Sequence, residues 1–256
     1  MLSWRWCTMA EGDTTTMTGA RSKASRRLDL AAFFSRVVDL PYVVVRGTPE
    51  DLLHYHPGSD IDIFCYDKPE FGRQVLAFAN DYLDFGYEVH LEDSEVGDQT
   101  HIDLHRGGRL EVRFDLYGEL PPYRRSHVNP ALFFSVIEQA ETLELQHDRE
   151  IVTIQVPSRV DDLLLRYLEY IEYYEERPEK LRHLDYILEA VEKLPKARIG
   201  FLEKLHRYTS LPECTSYVPE VVTRRASPDR ASRGALGRLK RRIISQIKAM
   251  LGSASA

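Results

Sequence analysis

The 256-residue chain lacks the long apolar runs that mark membrane proteins. No segment approaches the roughly 20 apolar residues that a transmembrane helix needs. Residues 1–27 also lack the uninterrupted apolar core of a signal peptide. Their Thr-, Ser- and Gly-rich composition instead predicts a disordered leader, with Met9 and Met17 as candidate start residues. We therefore expect a cytoplasmic protein with no transmembrane segment.

Cysteine is scarce and widely scattered. Cys7, Cys65 and Cys214 are the three cysteines of the chain, and their spacing fits neither a disulfide framework nor a zinc site. This excludes a disulfide-stapled secreted domain and agrees with a reducing compartment.

Charge is unevenly distributed within the net −6 of the chain. Residues 219–256 carry nine basic and two acidic side chains, and residues 1–27 carry five and two, which leaves residues 28–218 strongly acidic. An acidic body disfavours general binding of nucleic acid, because phosphate contacts dominate that affinity. The basic tail contains an amphipathic helical pattern, which is typical of contact with an anionic membrane surface or nucleic acid, or of docking on the acidic body.

Hydrophobic periodicity and turn residues predict an α+β chain. We expect an α+β domain over 28–125, a mainly helical domain over 126–212, and a basic linker with a tail helix over 213–256. The predicted helices cover 28–40, 69–84, 130–142, a long segment from Ser158, 179–193 and 196–208. The predicted strands cover 42–47, 60–66, 87–92, 101–105, 110–117 and 150–156. The long helix from Ser158 is predicted to be amphipathic, with one apolar face made of Val160, Leu163, Leu164, Tyr167, Leu168 and Ile171.

Two carboxylates lie one residue apart in the strand that follows Pro57-Gly58. Alternation along a strand puts Asp60 and Asp62 on one face, roughly 7 Å apart, and sends Ile61 and Ile63 to the other face. Like charges on one face call for compensation, and hard oxygen ligands suit a divalent cation such as magnesium. The alternative is the solvated face of an edge strand.

A strand, then Gly47-Thr48, then a spacer of eleven residues and Asp-Ile-Asp-Ile from Asp60, resembles the signature of the polymerase-β-like nucleotidyltransferase superfamily. The resemblance covers about residues 28–120. It implies a nucleotidyltransferase-type mixed sheet with flanking helices, followed by a helical domain. The implied activity is metal-dependent transfer of a nucleoside monophosphate from an NTP to a hydroxyl acceptor, which is a small molecule, RNA or protein.

The same resemblance implies roles for individual residues. Asp60 and Asp62 would hold Mg²⁺ or Mn²⁺, and a third carboxylate on a neighbouring strand would complete the metal site and act as base toward the acceptor hydroxyl. The residues implied for contact with the triphosphate are Gly47, Thr48, Ser59 and Arg46.

Two acids compete for the role of third carboxylate. A two-residue Gly107-Gly108 loop would put Asp103 on the apolar side of its hairpin, whereas a three-residue loop with a bulge would put it on the polar side with Asp115. The setting of Asp115, between Phe114 and Leu116, matches the pattern of the family's last core strand. We therefore predict Asp115.

Other charged residues would strengthen or weaken the binding of a phosphate near Thr48. Glu50 and Asp51 lie in the first turn of the helix after Thr48, where they would repel phosphates. The candidates to offset these acids are Arg46, Lys68, Arg73 and Arg113. Lys180 and His183, one helical turn apart, are further candidates for phosphate contact, although a solvated helix face is the favoured interpretation.

Two alternative functions stay open. One is a regulator that binds nucleotide without turnover. The other is a metal-dependent phosphoesterase built on a set of histidines and one acid, for which a polar outer strand face is the simpler explanation. That set comprises His54, His56, His101, Asp103 and His105.

Overall fold

The structure is a computed structural model, and it describes most of the chain between residues 26 and 210. The described residues are 26–45, 52–173, 175–177, 180, 182–184, 186–187, 190 and 195–210. Residues 1–25 of the predicted leader, the segment 46–51, eight of the fifteen residues of the helix expected over 179–193, and the basic linker and tail lie outside them.

Five helices and seven strands follow one another along the described chain. The helices are α1 (Leu30–Arg36), α2 (Lys68–Asn80), α3 (Ala131–Glu138), α4 (Arg159–Tyr173) and α5 (Pro195–Tyr208), with a 3-10 turn at Leu83–Phe85. The strands are β1 (Tyr42–Val45), β2 (Ser59–Cys65), β3 (Tyr87–Asp93), β4 (Gln99–Arg106), β5 (Arg109–Tyr117), β6 (Glu141–His147) and β7 (Glu150–Val156).

The first five strands form one mixed sheet in the order β1-β2-β5-β4-β3. β2 and β5 are parallel, and the other neighbouring pairs are antiparallel. β2 therefore lies inside the sheet, so the interpretation of its aspartates as the face of an edge strand is wrong. The mixed sheet with flanking helices, followed by a mainly helical segment, confirms the predicted α+β fold class.

The β4–β5 hairpin combines a two-residue loop with a bulge. Gly107 and Gly108 both have positive φ, 57° and 73°, as a tight hairpin loop between twisted strands requires. The register then shifts between Leu104 and His105. Because of this shift Asp103 lies opposite Arg113, and it shares the face of Asp115 despite the short loop.

The two faces of the sheet are covered by different parts of the chain. One face buries Ile61, Ile63 and Phe114 with residues of α1, α2 and the β6–β7 hairpin. The other face buries Val43 and Phe64 with residues of α3, α4 and α5. The second face is the one that carries the aspartates of β2, so the helical segment packs beside them.

One strand was not predicted. The helix expected over 130–142 ends at Glu138, and 141–147 forms β6, which pairs antiparallel with β7. Leu143 and Leu145 alternate with polar residues in β6, and both pack against the core. Only these two leucines carry the period of two in β6, so the signal is too short to separate this strand from the end of the predicted helix.

A buried ion pair joins α4 to α5. Asp161, with 0% exposure, accepts hydrogen bonds from Ser158 Oγ at 2.6 Å and from Lys204 Nζ at 2.5 Å. The Ser158 hydroxyl also accepts from the backbone N–H of Asp161, which caps the first turn of α4. Removing either charge of such a pair leaves the other buried without compensation.

We predict that Asp161→Ala lowers the free energy of unfolding by about 3 kcal/mol or more. The substitution leaves the Lys204 ammonium without its buried partner, and it removes the acceptor of the Ser158 hydroxyl at the start of α4. Urea unfolding followed by circular dichroism measures this. The double variant Asp161→Ala/Lys204→Met should recover part of the loss, and Glu203→Ala, an exposed acid on α5, should change little. A loss below about 1 kcal/mol for Asp161→Ala would contradict the assignment.

Candidate functional site

The parallel pairing of β2 with β5 brings three carboxylates to one face of the sheet. Asp62 lies directly opposite Asp115, and Asp60 lies opposite Arg113, two residues back along each strand. Opposite residues of paired strands project to the same side, so all three acids face one way. Asp60 is exposed, Asp62 is half-buried and Asp115 is only 9% exposed. We call Asp60, Asp62 and Asp115 the acidic floor.

Side chains of the neighbouring strands hold two of these carboxylates. His101 lies opposite Asp115, and its Nδ1 is 2.5 Å from Asp115 Oδ1. The Tyr117 hydroxyl donates to Asp62 Oδ1 at 3.1 Å and accepts from Gln99 Nε2 at 3.0 Å. Burial raises the pKa of Asp115, and the hydrogen bond with His101 opposes that rise.

The second candidate for the third carboxylate is engaged elsewhere. Asp103 accepts two hydrogen bonds of 2.7 Å each from Nε and Nη2 of Arg113. This bidentate pair holds the pKa of Asp103 below its usual value. Asp103 does not line the cavity described next, whereas Asp115 does. The catalytic role of Asp115 stays a prediction.

A cavity of about 580 Å³ lies over the acidic floor. Its volume is within the range of small-molecule and cofactor sites. Part of its lining comes from α4 and the residues that follow α4, and we call this part the helical wall. The helical wall consists of Arg166, Glu169, Tyr173, Arg177, Lys180, Arg182 and His183.

Helical spacing places the first wall residues on one stripe. Arg166, Glu169 and Tyr173 are three and four residues apart, so they share a face of α4. The apolar face predicted for this helix, which includes Tyr167 and Leu168, is buried in the core, as expected. In the sequence, the helical wall could have been found only from the polar residues of α4 that lie at helical spacing beside this apolar face.

Two wall residues for which we expect a solvated helix face are instead half-buried, as Lys180 is, or buried, as His183 is. Lys180 Nζ donates to Glu169 Oε2 at 2.7 Å, and Glu169 is only 3% exposed. His183 is 5% exposed, and its Nε2, 3.7 Å from the same Glu169 oxygen, has no hydrogen-bond partner among the described residues. The solvated-face interpretation of Lys180 and His183 is therefore wrong, because both lie against the buried Glu169 of α4.

The basic residues proposed to offset Glu50 and Asp51 have other partners. Lys68 pairs with Asp98, Arg73 with Glu70 and Arg113 with Asp103. None of these three lines the cavity, so its described cations come from the helical wall instead.

The residues predicted to hold a triphosphate are only partly described. Ser59 is the first residue of β2, and its Oγ accepts a hydrogen bond from the backbone N–H of His56 at 3.0 Å. Arg46, Gly47 and Thr48 lie outside the described residues, together with Glu50 and Asp51.

The acidic floor suits a metal ion in its chemistry, since carboxylate oxygens are the ligands that Mg²⁺ prefers. Among the residues that the structure describes, however, no three His, Cys, Asp or Glu side chains are grouped closely enough to hold a metal. The histidine set of the phosphoesterase hypothesis is also divided: His54 lies against His147, His105 lies against His90, and Asp103 pairs with Arg113.

The loop after β5 is fixed at the rim of the cavity. The Glu172 carboxylate accepts hydrogen bonds of 2.9 Å from the backbone N–H groups of Arg124 and Arg125. Pro121 and Pro122, just before them, line the cavity. α4 therefore positions both the helical wall and this loop.

Comparisons with known proteins return distant structural likenesses only. No family model matches the chain, and no curated protein matches it in sequence. An antigenic nucleotidyltransferase-like protein from Paracoccidioides brasiliensis is similar over 70% of this chain and 86% of its own, with a TM-score of 0.38 and 11% identity. JHP933 from Helicobacter pylori is similar over 93% and 98%, with a TM-score of 0.36 and 11% identity. A putative nucleotidyltransferase from H. pylori is similar over 86% and 93%, with a TM-score of 0.32 and 11% identity.

These likenesses are too distant to identify an activity, so membership of the nucleotidyltransferase superfamily stays a prediction. Within the described part of the chain, no helix has the length and apolar character needed to cross a membrane.

We predict that His183 makes the protein less stable in mild acid. Burial lowers the pKa of His183 to about 4, with nearby Lys180, Arg166 and Arg182 acting in the same direction and Glu169 opposing them. The unfolded chain therefore binds a proton at this residue at a higher pH than the folded chain does. The resulting stability is present above pH 6.5 and is lost as the pH falls toward 4, by on the order of 2 kcal/mol.

Urea unfolding at pH 7 and pH 5 measures this loss. His183→Gln should flatten the pH dependence of the free energy of unfolding, whereas the matched change His54→Gln, at an exposed histidine, should leave it unchanged. Equal pH dependence in the wild type and His183→Gln would show that His183 does not titrate in this way.

Proposed function

We propose that the protein transfers a nucleoside monophosphate from an NTP to a hydroxyl acceptor with the help of Mg²⁺ or Mn²⁺. One observation carries the proposal: Asp60, Asp62 and Asp115, from two adjacent parallel strands, line a single cavity. Three acids gathered around a cavity suit binding of a divalent cation together with a polyphosphate.

Asp60 and Asp62 are the proposed metal ligands, with Asp115 completing the site, and a bound ion would have to draw the three carboxylates closer together than they lie in the structure. A carboxylate has about four lone-pair positions, so the hydrogen bonds of Asp62 with Tyr117 and of Asp115 with His101 are compatible with this role. When bound, the metal ion would stabilise the negative charge that develops on the transferring phosphoryl group.

The residues of the chain would bind and orient the two substrates. In the reaction, the acceptor oxygen forms a bond to the α-phosphorus, the bond from the α-phosphorus to the bridging oxygen breaks, and pyrophosphate leaves. Asp115 is proposed to receive the hydroxyl proton, and its burial and raised pKa favour that task. Arg46, Gly47, Thr48 and Ser59 are proposed to contact the triphosphate.

The broadest test is a pyrophosphate-release screen of the four NTPs with Mg²⁺ or Mn²⁺. The acceptor panel should contain sugars, other small hydroxyl compounds, RNAs and proteins. Pyrophosphate release with one acceptor would support the transferase. Metal-dependent NTP binding without release would support a nucleotide-binding regulator instead.

We predict that Asp62→Asn weakens Mg²⁺-dependent NTP binding at least tenfold, because it replaces a charged ligand oxygen with a neutral amide. Isothermal titration calorimetry with and without Mg²⁺ measures the change. Asp103→Asn is the matched control, since it makes the same substitution on the same face at a residue outside the cavity. Circular dichroism should first establish that each variant is folded.

Once an acceptor is known, Asp115→Asn should abolish turnover while Asp103→Asn retains it. Unchanged metal-dependent binding in Asp62→Asn would refute the proposed metal site. Loss of turnover only in Asp103→Asn would refute the assignment of Asp115.

A further inference from the structure

The charges of the helical wall are not balanced within it. Four of its side chains are basic and one, Glu169, is acidic. Arg166 is neutralised from outside the wall, since its Nε donates to Asp162 Oδ1 at 2.8 Å. Arg177 and Arg182 are exposed, and neither pairs with an acid in the part of the chain that the structure describes. The wall therefore presents a net positive charge to the cavity.

The position of Lys180 is fixed by a buried acid. The ammonium group of Lys180 donates one hydrogen bond to the Glu169 carboxylate, and the Lys180 side chain is 13% exposed. An ammonium group has three donors, so a ligand in the cavity can take others. Because Glu169 already orders this side chain, a ligand would lose less conformational entropy in binding to it.

A second, independent feature points to a ligand at the same place. The Nε2 atom of His183 is buried and, within the part of the chain that the structure describes, lacks a hydrogen-bond partner, although His183 lines the cavity. Buried polar atoms without partners are rare in folded proteins, since each has lost its hydration without a compensating hydrogen bond. A ligand oxygen beside Lys180 would give this nitrogen a partner.

We propose that Arg177, Lys180, Arg182 and His183 form a binding subsite for a phosphate group, separate from the acidic floor. This subsite deepens the proposed function and rests on it for the identity of the ligand. The phosphate group belongs either to the polyphosphate of the NTP or to an acceptor that itself carries a phosphate ester. Guanidinium and ammonium groups are the usual partners of such oxygens, and a neutral imidazole can add one hydrogen bond.

The experiment measures binding of inorganic tripolyphosphate to the full chain by calorimetry in the presence of EDTA. Omitting the metal isolates the helical wall from the acidic floor. We expect binding that weakens as ionic strength rises, and that falls about tenfold or more in Arg177→Met/Arg182→Met. Both arginines are exposed and lack acidic partners among the described residues, so this variant should fold.

The matched control is Arg36→Met/Arg73→Met, which removes two arginines that pair with acids on the surface of α1 and α2. It should bind tripolyphosphate like the wild type. Glu169→Gln/Lys180→Met removes both charges of the buried pair together, so no single buried charge remains, and it should also weaken binding.

A sugar monophosphate as second ligand distinguishes the two sources of the phosphate. Tripolyphosphate binding at least about tenfold tighter than the monoester would identify the NTP as the source. Comparable affinity would identify a phosphorylated acceptor.

The absence of metal-free binding, or equal binding in the wild type and Arg177→Met/Arg182→Met, would overturn the subsite. Neither result would contradict the proposed function, which depends on Asp62 and the metal. Conversely, tripolyphosphate binding retained in Asp62→Asn, together with unchanged Mg²⁺-dependent NTP binding, would support the subsite and reject the metal site.

Discussion

The parallel pairing of β2 with β5 is the constraint on which the candidate site depends. Its register sets Asp62 opposite Asp115 and leaves Asp60 two residues away on the same face. Parallel neighbours cannot be joined by a tight turn, so the chain between them must travel back along the sheet. Here that connection contains α2, β3 and β4, and β4 adds His101 to the same row of residues.

Gathering three acids on a half-buried sheet is unfavourable unless their surroundings compensate the charge. The fold does this in part with hydrogen bonds, from Tyr117 to Asp62 and between His101 and Asp115. Burial raises the pKa of Asp115, which favours its protonated form, and the hydrogen bond with His101 opposes that rise. A buried carboxyl with a raised pKa that lines a cavity is a candidate functional group, whereas Asp103 with Arg113 illustrates a structural ion pair on the same face.

α4 links the stability of the protein to the shape of the cavity. Its apolar face, including Leu164 and Leu168, is buried in the core, while its polar stripe forms the helical wall. Asp161 at its start joins α5 through Lys204, and Glu172 near its end holds the loop that lines the cavity rim. A change in the orientation of α4 would therefore alter both the core and the helical wall.

The sequence alone determined the elements whose signals are local. Alternation in "SDIDIFC" placed Asp60 and Asp62 on one face and the isoleucines in the core, and helical periodicity predicted the apolar face of α4. The sequence could not decide which strands are neighbours, where the bulge at Leu104 and His105 shifts the register of the hairpin, or that His183 is buried and Lys180 pairs with a buried acid. Those features arise from contacts between residues far apart in the chain, and local periodicity carries no information about them. Only the tertiary structure therefore brought the acidic floor and the helical wall together around one cavity.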